Sequence, residues 1–283
     1  MNLFILICII VGIFYILNFY ILNVYINCNE KFNNMYNLVI GAPFKNEAHI
    51  LDEWIKHYKY HGVDHIYLIN DGSTDNFEAV LEPYIKEGYV TLFNNTMNID
   101  GYPRQKFLYE EYFKPIINNS KWWAILDLDE FMYSPYEIDL KKVIEKYNNY
   151  EQLYIKWRMF GSNGHIEQPK YVVPSFTKRQ HDNPDINGKS IFRSDLLNNF
   201  DVHYHDVNGE IIVIDNDIII NHYAIQSWSF FERVKMTRGD VNNFVQQIGI
   251  VRDKKYFDEF DYKDVDDNIL AKQNETLYIN KII

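Results

Sequence analysis

Four apolar runs, each ending in a polar turn, organise the first half of the chain. "NLVIGAPF" (37–44) stops at Gly and Pro and reads as a buried strand. "NEAHILDEWIKHYKYHG" follows, with Ile50, Trp54, Ile55 and Tyr58 at helical spacing and Gly62 as the stop. "DHIYLI" (64–69) predicts a second strand, and "NDGSTDNFEAVLEPYIKEG" a polar turn that leads into a helix. "YVTLF" (89–93) and "WWAIL" (122–126) predict two more strands, with helical character between them from Pro103 to about Ile117.

Strands that alternate with helices point to a mostly parallel α/β sheet with helices on both faces. In such sheets ligands bind beyond the carboxyl ends of the strands. "APFKNE", "NDGSTD" and "DLDE" all fall at predicted carboxyl ends, so three polar clusters are expected to converge on one sheet edge. After about residue 150 the pattern loosens. "EQLYIKWRMFG" (151–161) predicts a strand, a polar stretch runs from about 161 to 190, "GEIIVIDNDIIINHY" (209–223) offers two short strands and a turn, and "SWSFFERVKMTRGD" (227–240) reads as helical.

Residues 1–29 hold no Asp, Glu, Lys or Arg, and the apolar run 3–26 exceeds the ~20 residues that span a bilayer. It has neither the basic start nor the small-residue cleavage site of a signal peptide, so it is expected to be an uncleaved anchor on a single-pass membrane protein. The first basic residue, Lys31, lies on its C-terminal side, and the flanking charge does not fix an orientation. Residues 30–283 then form the catalytic domain. The chain's net charge of −11 argues against nucleic acid as a partner. Both cysteines, Cys8 and Cys28, lie in or beside the apolar run, so the rest of the chain has no disulfide, thiolate metal site or Cys nucleophile.

The acids of "DLDE" raise the chemical question. Asp127 and Asp129 leave a strand end one residue apart, where paired carboxylates can hold Mg²⁺ or Mn²⁺ against a diphosphate. A solvated turn would give the same tripeptide, but Phe131 and Met132 follow directly and make a plain surface loop a poor fit. Asp71 stands at a strand end, where a carboxylate can accept the N–H of a uracil-like base. Ser73 and Asp75 serve that turn or cap the next helix.

Taken in order, "APFKNEAHILDEWIKHYKYHGVDHIYLINDGSTD", "RQ" (104–105), "WWAILDLDEFM" and "NHYAIQSWSFFERVKMTRGD" resemble the family-92 glycosyltransferases and their family-2-like relatives over roughly residues 38–240. The resemblance implies a Rossmann-like GT-A fold, a UDP-sugar donor with galactose or glucose as the first sugars to consider, Mn²⁺ or Mg²⁺, inversion at the anomeric carbon, and a glycan or glycoconjugate acceptor. It implies nucleotide-sugar contacts for Lys45, Asn46, Glu47, Asp71, Ser73, Asp75, Arg104, Gln105, Lys235 and Arg238. The metal would be held by Asp127, Asp129 and His222. Glu130 and Asp240 are the candidate general bases, with Asp182 and Asp185 behind them. The chain departs from animal members in lacking the cysteines that interrupt their catalytic domains, which weakens the case for an oxidising lumen.

Blander readings stand beside these. His222 follows an apolar run and fits a core histidine, Arg104 and Gln105 fit a helix start, and Lys235 and Arg238 fit a solvated helix face. Trp157 and Phe160 suit a platform for a sugar ring or a buried core. His203 and His205 alternate as on a surface strand. Two other functions remain open: a phosphohydrolase of the haloacid-dehalogenase type, whose Asp-x-Asp follows the first strand, and a membrane-anchored glycan-binding protein with a degenerate site.

Overall fold

The computed structural model describes residues 36–97, 104–183, 185–237 and 252–279. Strand β1 (Tyr36–Phe44) lies at the heart of the main sheet, and Leu38, Val39, Ile40 and Ala42 are wholly buried. A strand covered on both faces needs a continuous apolar run rather than alternation, which "NLVIGAPF" supplies. β2 (His65–Asn70) pairs with β1 in parallel, with Val39 opposite His65 and Phe44 opposite Asn70. β3 (Val90–Asn94) pairs with β2, and β4 (Ser120–Ile125) with the other side of β1, both in parallel.

Helix α1 (Ala48–Tyr60) returns over one face with Ile50, Leu51, Trp54, Ile55 and Tyr58 turned inward. It ends before Gly62, whose φ of +81° suits glycine. α2 (Phe77–Lys86) packs on the same side, where Leu38 and Ile40 contribute to one core. The segment 104–119 covers the opposite face as α3 (Arg104–Leu108), a single π turn and a 3₁₀ turn. Its Tyr109 and Phe113 pack there with Val39, Tyr67 and Trp123. Helices therefore lie on both faces, as expected.

The rest of the sheet departs from the simple parallel picture. β5 (Glu130–Tyr133), β6 (Gln152–Met159), β8 (Gly188–Arg193), β11 (Ile211–Ile214) and β12 (Ile219–His222) extend it to nine strands in the order β3-β2-β1-β4-β8-β6-β12-β5, with β11 also on β6. β8 is antiparallel to both neighbours and β5 is antiparallel to β12, so the sheet is mixed. β11 and β12 do not pair with each other. Both run parallel to β6, β11 against Gln152–Ile155 and β12 against Trp157–Met159.

Off the main sheet, β7 (Lys178–Arg179) pairs with β13 (Val265–Asp266) and β9 (Leu197–Asn199) with β10 (Asp206–Val207), and two short helices, Ile269–Gln273 and Glu275–Ile279, close the described chain. α4 (Leu140–Glu145) packs into the first core. α5 (Trp228–Arg233) is capped by Ser227, whose hydroxyl accepts from Phe230 N at 3.3 Å, and leads into a 3₁₀ turn at Lys235–Thr237. α6 (Lys254–Phe260) meets α5 through Phe231 and Phe257. Among the described residues no helix is long and apolar enough to cross a membrane, and the expected anchor lies outside them.

Candidate active site

The three polar turns meet at the carboxyl edge of β1, β2 and β4. After Phe44 the backbone turns through Asn46 at φ +56°, a conformation Asn tolerates better than most residues. Asn46 N–H donates to Ser73 Oγ (3.0 Å), Thr74 N–H donates to Asn46 Oδ1 (2.7 Å), and Ala48 N–H donates to Asp75 Oδ2 (2.8 Å). Ser73 and Asp75 therefore tie the β2 turn to the β1 turn. Asp75 serves the first turn of α1, and α2 starts from Asn76 with no side-chain cap. Helix capping is thus the work of Asp75, but on the neighbouring helix.

Asp71 is held in a fork. Arg104 Nε lies 2.6 Å from its Oδ2 and Arg104 Nη2 lies 2.6 Å from its Oδ1, while Asn95 Nδ2 donates at 2.7 Å. Burial works to raise the Asp71 pKa, but these bonds, and beyond them the charges of Arg104 and Lys45, leave it below its usual value. Lys45 itself is exposed.

Asp127, Asp129 and Glu130 sit in the turn between β4 and β5, anchored by buried Leu128. Each acid has a different partner. Asp127 Oδ2 lies 3.1 Å from Lys189 Nζ, and its Oδ1 accepts from Gln105 Nε2 at 3.2 Å. Asp129 Oδ2 lies 2.6 Å from Lys235 Nζ, which also stands 3.3 Å from Glu47 Oε1. Burial pushes both aspartates up. Lys189 outweighs it at Asp127, and Lys235 followed by His222 outweighs it at Asp129, which ends well below the usual carboxylate range. Glu130 is 0% exposed, its Oε2 accepts the N–H of Asp127 at 2.9 Å, and burial drives its pKa well up. Its carboxyl supports the turn and faces the interior.

His222 reaches the same acids from β12, paired in register with Glu130. Its Nε2 lies 3.4 Å from Asp129 Oδ1, and the Trp157 ring packs on it at 4.5 Å. Lys45, Asn46, Glu47, Asp71, Ser73, Asp75, Arg104, Gln105, Asp127, Asp129, Glu130, His222 and Lys235 thus gather at one edge. Arg238 and Asp240 lie outside the described residues. Asp182 lies apart, against Arg179 at 2.8 Å, and Asp185 is exposed. Phe160 is a core residue packed on Tyr223 at 4.8 Å. His203 lies in a bend and His205 just after it, neither on a strand, and His205 is buried, with its Nδ1 accepting from Asp201 N.

Sequence reasoning missed Lys189. It is the second residue of β8, 1% exposed, where its Nζ donates to Val202 O at 3.2 Å besides facing Asp127. Burial pulls its pKa down, but Asp127 and Glu130 raise it further, so it is an ammonium. Nothing in "GKSIFR" marks a lysine as internal.

The donor set suits a hard or borderline divalent cation: carboxylate oxygens and one imidazole nitrogen. Asp129 Oδ1 and His222 Nδ1 are buried atoms without a hydrogen-bond partner. Among the described residues no three donors stand ready as a metal cluster, and two of the aspartate oxygens face lysines instead.

The sequence model of glycosyltransferase family 92 matches residues 41–272, a span that includes every described residue of this edge. The chain belongs to glycosyltransferase family 92. It is 26% identical over 216 residues to a family-92 protein of Oryza sativa subsp. japonica, covering 70% of this chain and 35% of that protein. A family-92 protein of Arabidopsis thaliana is 24% identical over 225 residues, covering 72% of this chain and 38% of its own. A galactan β-1,4-galactosyltransferase of Arabidopsis thaliana is 28% identical over 117 residues, covering 37% of this chain and 22% of its own. The family-92 chain therefore spans little more than a third of the length of the first two relatives.

Proposed function

We propose that this chain is a metal-dependent hexosyltransferase of GT-A type that moves galactose or glucose from a UDP-sugar to a glycan, glycolipid or glycoprotein acceptor with inversion. The observation that carries the reading is the meeting of Asp71 with Arg104, and of Asp129 with His222 beside Asp127, at one carboxyl edge of the sheet in a family-92 chain. The partial similarity to a galactan galactosyltransferase supports galactose as the first sugar to test.

In this reading Asp71, fixed by the Arg104 fork, accepts the N–H of the uracil. Lys45 and Lys235 face the diphosphate, and Asn46, Ser73 and Asp75 hold the two donor turns together. Asp127, Asp129 and His222 would hold Mn²⁺ or Mg²⁺. The ion supplies positive charge where the leaving diphosphate gathers negative charge. Glu130 is too enclosed to meet an acceptor hydroxyl, so it keeps the Asp127 turn in shape and the base role falls to Asp240. Residues 3–26 anchor the protein in a membrane, which carbonate extraction tests: release into the soluble fraction removes that part.

The deciding experiment is turnover of UDP-galactose, UDP-glucose and their GDP counterparts by the full chain, with Mn²⁺ and with EDTA. Turnover confined to a UDP-sugar and lost in EDTA supports the proposal. Unchanged activity in EDTA removes the metal, and equal use of GDP-sugars removes the role of Asp71.

A further inference from the structure

The two lysines of the acidic cluster are held differently. Lys189 projects from β8, where it pairs with Ile155 of β6, and its ammonium is bonded to Asp127 and to the Val202 carbonyl. Lys235 stands on a three-residue 3₁₀ turn that follows α5, a shorter and less constrained support. Its ammonium rests on Asp129 Oδ2 at 2.6 Å and Glu47 Oε1 at 3.3 Å.

Asp129 is the carboxylate on which the demands collide. Its Oδ1 is buried, unpartnered and 3.4 Å from His222 Nε2, so that oxygen and that nitrogen offer a cation two donors side by side. Its other oxygen already carries an ammonium. A dication on one oxygen and an ammonium on the other would stand about a carboxylate's width apart in a buried setting, where like charges repel far more than in water. Resting on the metal site proposed above, we infer that Lys235 is the resident counter-ion of Asp129 and yields that place when the divalent cation binds. Lys189 stays on Asp127 throughout. The displaced ammonium has a destination, because the diphosphate brings new negative charge to the same edge. Metal and donor are thereby coupled: loading the metal without the donor strands a buried ammonium, and loading both does not.

The test is Mn²⁺ binding to the full chain, followed by calorimetry and by the electron-spin signal of free Mn²⁺, with and without UDP. Wild type should bind Mn²⁺ weakly alone and at least about tenfold more tightly with UDP. Lys235→Met should bind Mn²⁺ alone at least about tenfold more tightly than wild type, and UDP should add little further. Lys235→Gln, which keeps a hydrogen-bond donor for Asp129 without the charge, should behave like Lys235→Met and guards against a misfolded methionine variant. Asp129→Asn should weaken Mn²⁺ binding in both backgrounds. If wild type binds Mn²⁺ and both Lys235 variants bind it no more tightly, the exchange is wrong while the metal site stands. If neither wild type nor the variants bind Mn²⁺ even with UDP, the metal site itself is wrong and the exchange falls with it.

Discussion

The stretches 36–133 and 150–279 build the same sheet by different means. In the first, β1 to β4 pair in parallel, and each of β1, β2 and β4 ends in a polar turn. In the second, the strands are threaded into places far from their sequence neighbours: β8 enters between β4 and β6, and β12 lies against β5. The chemistry divides along the same line. The first stretch supplies Glu47, Asp127, Asp129 and Glu130, and the second supplies Lys189, His222 and Lys235. Carboxylates this close repel one another until their counter-charges arrive. The acidic edge is therefore completed only when the second stretch has docked on the first.

The largest effect should come from Lys189→Met. Removing the ammonium leaves the enclosed Glu130 and the 29%-exposed Asp127 without their buried counter-charge, and breaking a buried pair costs up to about 3–5 kcal/mol. Urea unfolding should show that loss, and transfer should fall with it because Asp127 loses its fixed orientation. A pair formed before the second stretch begins gives the contrast. Lys141 lies 2.5 Å from Asp64 with both side chains about a quarter exposed, and Lys141→Met should cost under about 1 kcal/mol. If the two variants lost equal stability, the acids would not depend on the second stretch for their counter-charge.

That asymmetry also decides what could be read from the sequence. Parallel strands covered on both faces leave unbroken apolar runs with polar stops, so β1 to β4, their helices and the convergence of their turns were all legible. β5 was hidden because Glu130 opens it with a charge, although that carboxyl turns back on its own loop. β8 was hidden because Lys189 and Ser190 break its apolar run, and only the tertiary partner Asp127 explains an internal lysine. His222 was placed beside Asp129 by the family resemblance and not by any local pattern, since the β12–β5 pairing that joins them sets His222 opposite Glu130, roughly ninety residues away. Lys235 was expected to meet the donor. Its seat on Asp129 and Glu47 follows from packing that no local pattern encodes.

A smaller effect tests the seam itself. Glu53 on α1 is buried, its carboxylate accepts the N–H groups of Val172 (2.5 Å) and Val173 (3.0 Å), and Tyr278 donates to it at 3.2 Å. Burial, against those bonds, raises its pKa from 4.5 to about 7. The folded state then holds a proton that the unfolded chain has released between those values. Its contribution is complete below about pH 4.5 and fades as pH rises through 7, by roughly 3 kcal/mol. Burial lowers the pKa values of His57, His61 and His205, which tilts total stability the other way, with loss as pH falls. The informative quantity is the stability difference between wild type and Glu53→Gln across pH 4.5–8. It should shrink toward high pH. A flat difference would mean that Glu53 joins the two stretches as a carboxylate at every pH.

The smallest effect separates stability from chemistry. Asp139 caps α4 by accepting from Lys141 N at 3.0 Å, and Ser227 caps α5 by accepting from Phe230 N. Replacing either by Ala should cost about 1 kcal/mol, the usual value of a helix cap. The consequences for transfer should differ. Asp139 lies at the amino edge of the sheet, where Leu140 N–H donates to the carbonyl of His61, just before β2 begins. Asp139→Ala should leave turnover of the UDP-sugar unchanged. Ser227 starts α5, which leads into the 3₁₀ turn that carries Lys235, and its hydroxyl also donates to Gln168 Oε1 at 2.8 Å, which fixes the helix start. Loosening that start lets Lys235 move relative to Asp129, so Ser227→Ala should lower turnover severalfold at nearly the same cost in stability. Paired measurements of the urea midpoint and of turnover decide the matter. If both variants lose stability alike and neither loses turnover, the placement of Lys235 is set by its ion pairs alone and the cap of α5 contributes nothing to it.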